Sequence, residues 1–152
     1  MSDPIAFEGA TPRLSLPLLF AGQAQKEFTV NEALLRADLM IQCVVEGELQ
    51  APPASPSAGQ AWLVGDAPTG VFAGHAAAIA GWTGSGWRFV EAVVGLSVFD
   101  KSAGCFRRFA ETWQTFIAPL PPTGGTTIDV EARAAIVNIM ERLVEAGVFA
   151  TS

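Results

Sequence analysis

Two proline-dense segments constrain this chain more than any other feature: Ala51-Pro52-Pro53-Ala54-Ser55-Pro56-Ser57-Ala58-Gly59 and Ala118-Pro119-Leu120-Pro121-Pro122-Thr123-Gly124-Gly125. Proline fixes φ and removes a backbone donor, so neither segment can continue a helix or sit in the middle of a sheet. Both are connectors, and the rest of the chain must fold in the intervals they leave. The interval before the first has helical period, the interval between them has strand period, and the tail is helical again. That order predicts an α+β fold with an N-terminal extended arm and helix, a central antiparallel β-meander and a C-terminal helix with a heptad-like apolar face. By segment, residues 1–21 are the arm, 22–117 the helix plus meander, and 118–152 the second connector and last helix, in one structural unit.

Pro4, Pro12 and Pro17 deny the arm a helix interior, while Leu14, Leu16, Leu18, Leu19 and Phe20 give it an apolar strip. Such a strip has to lie on something, either its own domain or a neighbouring subunit. Thr29-Val30-Asn31-Glu32 fits a capping box, which predicts a helix over residues 30–45 ending near Gly47. Ala33, Leu34, Ala37, Met40, Ile41, Val44 and Val45 would form its apolar face, with Glu32 and Arg36 an exposed pair four residues apart.

Beyond the first connector, Ala61-Trp62-Leu63-Val64, Ala78-Ile79-Ala80-Gly81-Trp82, Trp87-Arg88-Phe89-Val90, Leu96-Ser97-Val98-Phe99 and Cys105-Phe106-Arg107-Arg108-Phe109 read as short strands. Thr83-Gly84-Ser85-Gly86 and Asp100-Lys101-Ser102-Ala103-Gly104 are hairpin turns between them. In the last helix, expected over residues 129–146 and capped by Thr127 or Asp129, Ala132, Ile136, Ile139, Leu143 and Ala146 step 4, 3, 4, 3. This face either packs on the sheet or forms a seam between copies, and fewer than three heptads cannot hold chains together alone.

Only 16% of the 152 residues are charged, against roughly 25% in an average soluble domain. So little charge implies apolar surface buried against another chain, hence a homo-oligomer. A net charge of -6 and a pI near 4.6 argue against nucleic-acid binding, which leaves a basic footprint. No run is long enough to span a membrane, and the acidic start of the chain, with Pro17 interrupting the apolar stretch, does not read as a secretion signal.

No convincing catalytic constellation is present, and no cofactor is expected. His75, the lone histidine, has no nucleophile at motif spacing; a hydrogen-bonded structural role or a sugar contact outranks catalysis. Cys43 and Cys105 lack metal-ligand spacing and read as two buried thiols, although spacing alone does not settle a disulfide. Asp66, Glu91, Asp100 and Glu111 are the acids of the β-region, and nothing pairs them as a hydrolase would need. Trp62, Trp82, Trp87 and Trp113 are either cross-strand packing residues or flat platforms for sugar rings. The candidate glycan contacts are Trp82, Trp87, His75 and Trp113, and the candidate subunit contacts are Ala132, Ile136, Ile139, Leu143, Leu16 and Leu18.

One order of motifs stands out: Thr11-Pro12-Arg13-Leu14-Ser15-Leu16-Pro17-Leu18-Leu19, then Ala21-Gly22-Gln23-Ala24-Gln25-Lys26-Glu27, then Asn31-Glu32-Ala33-Leu34. Downstream come Pro52-Pro53-Ala54-Ser55-Pro56, Thr69-Gly70, Phe72-Ala73-Gly74-His75, Ile79-Ala80 and Gly86-Trp87-Arg88-Phe89. Together these resemble domain-of-unknown-function family 2793, over roughly residues 11–113. That resemblance implies a virion component of a tailed phage, prophage or gene-transfer agent of alphaproteobacteria, in the tail-fibre or host-adsorption apparatus. It implies partnership with other phage tail proteins and with copies of itself, a trimer being the candidate assembly, and contact with cell-surface polysaccharide in the alternative role. It supplies no catalytic residues. The Gln23-Ala24-Gln25-Lys26-Glu27 block would be a polar subunit junction or simply a helix entry.

Overall fold

A computed structural model describes residues 9–19 and 26–150. The fold is α+β, as the sequence predicts. Its elements are α1 (Lys26–Met40), β1 (Val44–Val45), β2 (Glu48–Leu49), β3 (Ala61–Val64), a 3-10 turn (Gly70–Phe72), β4 (Ile79–Trp82), β5 (Trp87–Val90), β6 (Ser97–Asp100), β7 (Cys105–Phe109), β8 (Trp113–Thr115) and α2 (Val130–Glu145). The chain forms two compact units, the first ending at Ala92 and the second beginning at Val93. The division falls inside the span that the sequence assigns to helix plus meander.

In the first unit the sheet order is β2-β3-β4-β5. β3, β4 and β5 are antiparallel neighbours, and β2 joins β3 in parallel, with Glu48 opposite Leu63. Side chains alternate across a strand, so this sheet has two faces to cover. Ala61, Leu63, Ile79 and Gly81 share one face, and Leu39 of α1 packs there: a Cβ built on Gly81 would lie 2.7 Å from Leu39 Cδ1. Val64, Ala80, Trp87 and Phe89 share the other face, around fully buried Phe72. Covering both faces explains why all four residues of β3 are buried.

The arm, described over residues 9–19, doubles back on itself. Leu18 N–H donates to Gly9 O (2.9 Å) and Thr11 N–H to Leu16 O (2.9 Å), with Ser15 at φ 54° in the reversal. Asp38, 1% exposed, holds this hairpin against α1. Its carboxylate accepts from Thr11 Oγ1 (2.7 Å), Arg13 N–H (3.0 Å) and Leu14 N–H (2.6 Å). Arg13 in turn donates to Asp38 O (3.2 Å) and Leu39 O (2.7 Å), carbonyls that the end of a helix leaves without intrahelical partners, and to Gln42 O (2.9 Å) just beyond it. Asn31 completes the attachment by exchanging hydrogen bonds with the Leu19 backbone (2.8 and 3.0 Å). Phe20 and residues 21–25, which include most of the glutamine block, lie outside the described residues.

Helix α1 departs from its predicted bounds. Thr29 lies inside the helix, because Asn31 and Glu32 are engaged by the arm and by two arginines instead of capping a first turn. The helix ends at Met40, Gln42 takes a left-handed φ of 49°, and the β-branched pair Val44-Val45 becomes a strand. The buried positions of α1 are Asp38 and Leu39 rather than the predicted apolar series, of which Ala33 and Ile41 are exposed.

The second unit contains the antiparallel run β6-β7-β8, with Val98 opposite Arg107 and Phe109 opposite Trp113. Asp100 closes the β6–β7 turn by accepting from Ser102 N–H (2.9 Å), Ser102 Oγ (2.7 Å) and Ala103 N–H (3.2 Å). Asp129 caps α2, accepting from Ala132 N–H at 2.8 Å, so this end matches the sequence expectation. The other end stops at Gly147, whose φ of 71° suits glycine and whose carbonyl accepts from Phe106 N–H at 2.7 Å. Among the described residues, no helix is long and apolar enough to cross a membrane.

Candidate functional site

The β4–β5 hairpin turns on Thr83-Gly84-Ser85-Gly86, with Thr83 N–H donating to Gly86 O (3.0 Å) and Gly84 at φ 90°. Its register places Trp82 opposite Trp87 and Ala80 opposite Phe89. Trp87 is anchored by edge-on contacts with Phe72 (5.1 Å between centroids) and Trp62 (5.7 Å), and Phe89 by one with Phe72 (5.9 Å). Arg88, one residue out of phase, turns to the opposite face and meets α1.

β5 is the last strand of its sheet, and a depression of about 530 Å³ straddles it. One wall comes from α1, where Phe28, Glu32 and Arg36 recur at four-residue steps on one helical face. The other is formed by Trp87, Phe89, His75 and Glu91. Glu32 joins the two walls: Oε1 accepts from Arg36 Nε (3.1 Å) and Oε2 from Arg88 Nε (2.6 Å). Burial pushes the Glu32 carboxyl up, but the hydrogen bonds and charges of Arg88 and Arg36 outweigh it, so its pKa lies below the ordinary glutamate value. Phe28, 80% exposed, stands at the rim.

His75 follows the buried Phe72 turn, its N–H donating to Phe72 O at 3.0 Å. The imidazole lies flat on Phe89, with centroids 3.8 Å apart and planes 1° from parallel, and Nδ1 is 3.4 Å from Glu91 Oε1. The depression therefore offers aromatic faces beside guanidinium, carboxylate and imidazole groups, the mixture suited to a ligand with one apolar face and a polar perimeter. Among the described residues, no group of three His, Cys, Asp or Glu side chains is placed to hold a metal ion.

Of the residues singled out from sequence, His75 and Trp87 meet in this depression, and Trp82 packs on Trp87 at 5.2 Å. Trp113 belongs to the second unit and packs edge-on against Phe109 at 5.3 Å. Leu16 and Leu18 are half-buried in the arm hairpin. On α2, Ala132, Ile136 and Ile139 are exposed, Leu143 is half-buried, and no residue of the helix is buried. Glu32 and Arg36 pair as their spacing predicts (3.1 Å), but the sequence marked neither them nor Phe28 and Arg88 as lining a site; the four-residue recurrence of Phe28, Glu32 and Arg36 was the available signal. Cys43 and Cys105 are free buried thiols. Burial pushes the Cys43 thiol up to about 11 against the opposing charge of Arg13, and burial with the Asp100 charge also raises Cys105.

These features define an α+β protein with an aromatic depression on one unit and a helix without a fully buried residue on the other. The chain belongs to the family described as "Protein of unknown function (DUF2793)", which matches residues 30–114. The match covers the depression apart from Phe28, and it ends before α2. No curated protein and no solved structure matches the chain.

Proposed function

We propose that this chain is a non-enzymatic structural or adaptor protein of a phage-like particle, a tail-fibre or host-adsorption component that works as a homo-oligomer. The observation that carries the reading is α2, a sixteen-residue helix with no buried residue, whose Ile136 and Ile139 are 44% and 59% exposed. In a lone subunit Ala132, Ile136 and Ile139 stay exposed among the described residues, with only Leu143 of that face half-buried. Leu120, 92% exposed, lines a depression with Val137, Met140 and Val144 of the same helix and adds to the apolar surface around it. A second copy is the fitting occupant, because Ala132, Ile136, Ile139, Leu143 and Ala146 keep heptad spacing and heptad seams are self-complementary. Isoleucine at adjacent core positions of both kinds favours three strands over two.

The particle itself rests on the resemblance of the arm and helix motifs, and the Asp38 attachment gives those motifs a physical task. Mass spectrometry of purified, nuclease-treated particles from a producing strain tests this placement. The chain should co-purify with the tail proteins at a constant ratio, and its absence from particles would end the proposal. A second reading, a glycan-binding module of the same apparatus, is favoured by the depression between α1 and β5, where exposed Phe28 faces a perimeter of charged groups. Tryptophan emission under added host polysaccharide tests it, since Trp87 lines the depression; an unchanged spectrum would count against it.

A further inference from the structure

The geometry points to a carboxylated sugar, such as a uronic acid residue within a polysaccharide, as the ligand of the depression between α1 and β5. This assignment rests on the glycan-binding reading and adds the chemical class of the ligand. Both arginines of the depression are gripped by one side only. Glu32 takes Arg36 through Nε and Arg88 through Nε, and Arg88 Nη1 additionally donates to Trp87 O at 3.0 Å. Arg36 Nη1 and Nη2 and Arg88 Nη2 have no partner among the described residues, yet both side chains line the depression. A guanidinium fixed through Nε presents its remaining N–H groups in a planar fork, which is the shape that accepts a carboxylate.

Charge decides between anions and neutral sugars. On the α1 side of the depression Glu32 is shared by two arginines, a local excess of one positive charge, while Glu91 stands beside His75 on the opposite wall. A single carboxylate balances that surplus. A dianion such as a phosphate would exceed it and would also approach Glu91, which lines the opposite wall. The rest of a pyranose fits what remains: Phe28 supplies an aromatic face, and the paired His75 and Glu91 supply a donor and an acceptor for ring hydroxyls. Glu32 and the Phe89 stack hold these groups before a ligand arrives, which lowers the ordering cost of binding.

Ligand-observed NMR and tryptophan emission on the full chain test this, using tri-galacturonate, neutral galactotriose and a tri-glutamate peptide as probes. Tri-galacturonate should bind at least tenfold more tightly than either comparison probe. Arg36→Gln should remove that preference, while Arg36→Lys, which keeps the charge but not the fork, should restore part of it. Phe28→Ala should weaken binding of the acidic sugar without altering the fold by circular dichroism, since Phe28 is exposed. Equal binding of the neutral trisaccharide would overturn the acidic assignment and leave the glycan reading standing. Equal binding of tri-glutamate would reduce the site to nonspecific charge pairing, and binding untouched by both Arg36→Gln and Phe28→Ala would place any sugar elsewhere. No binding of any probe would refute the assignment and the glycan reading together, without touching the oligomer.

Discussion

Replacing Asp38 with alanine should detach the arm hairpin from α1, and the size of the effect follows from the bonds lost. Asp38 is almost fully buried and accepts from Thr11 Oγ1, Arg13 N–H and Leu14 N–H. Each donor left buried without a partner costs about 1–3 kcal/mol. The arm lies near the surface and rehydrates in part, so low-end values apply, giving about 3–5 kcal/mol in total. Asp38→Asn keeps an acceptor for Thr11 and Leu14 but turns an amide donor toward Arg13 N–H, and should cost about half as much. Urea unfolding followed by tryptophan emission measures the stability. Trypsin gives an independent readout, because the Arg13-Leu14 bond is shielded only while the hairpin is docked. Wild type should resist cleavage there, and Asp38→Ala should be cut early, before the β-region is degraded. A loss below about 1 kcal/mol, the scale of an ordinary surface hydrogen bond, together with unchanged cleavage would refute the attachment.

Three further outcomes test the packing and the titrating groups. Gly81→Ala places a methyl within 3 Å of both terminal carbons of buried Leu39 and should cost about 1–3 kcal/mol by overpacking; thermal unfolding with an unchanged midpoint would contradict the contact between α1 and β4. Glu32→Gln should lower stability by about 1 kcal/mol at neutral pH. Because the folded state depresses the Glu32 pKa, the contribution is full above the ordinary glutamate value and is lost as the pH falls through the depressed one. The two proteins should therefore converge in acid melts, and a constant gap would show that the arginine pairing is not its source. The Cys43 and Cys105 thiols should react with a thiol reagent at mild alkaline pH only after unfolding, and rapid modification of native protein would contradict their burial.

Strands were readable because short β-branched and aromatic runs between glycine turns leave few alternatives, and β3, β4, β5, β6 and β7 fall where the runs do. Helix α1 was harder, since its buried contact with the arm is made by a carboxylate. A search for apolar period passes over Asp38 and promotes Ile41, which is exposed. Thr29-Val30-Asn31-Glu32 satisfies a local capping pattern, but Asn31 and Glu32 are claimed by partners distant in sequence. The same blindness hid half of the depression. Phe28, Glu32 and Arg36 look like a solvated helix face until Arg88 arrives 56 positions after Glu32. Trp113 and Trp87 were grouped by residue type, whereas the chain divides after Ala92 and gives each its own aromatic partner.

Light scattering of the full chain after size-exclusion chromatography tests the oligomer most directly, with an Ile136→Glu, Ile139→Glu variant run alongside. The subunit mass is 15.9 kDa. The account predicts a concentration-stable species of three times that mass, and a folded species of one subunit mass for the variant. A wild-type mass of one subunit, or an assembly indifferent to charges at Ile136 and Ile139, would contradict it.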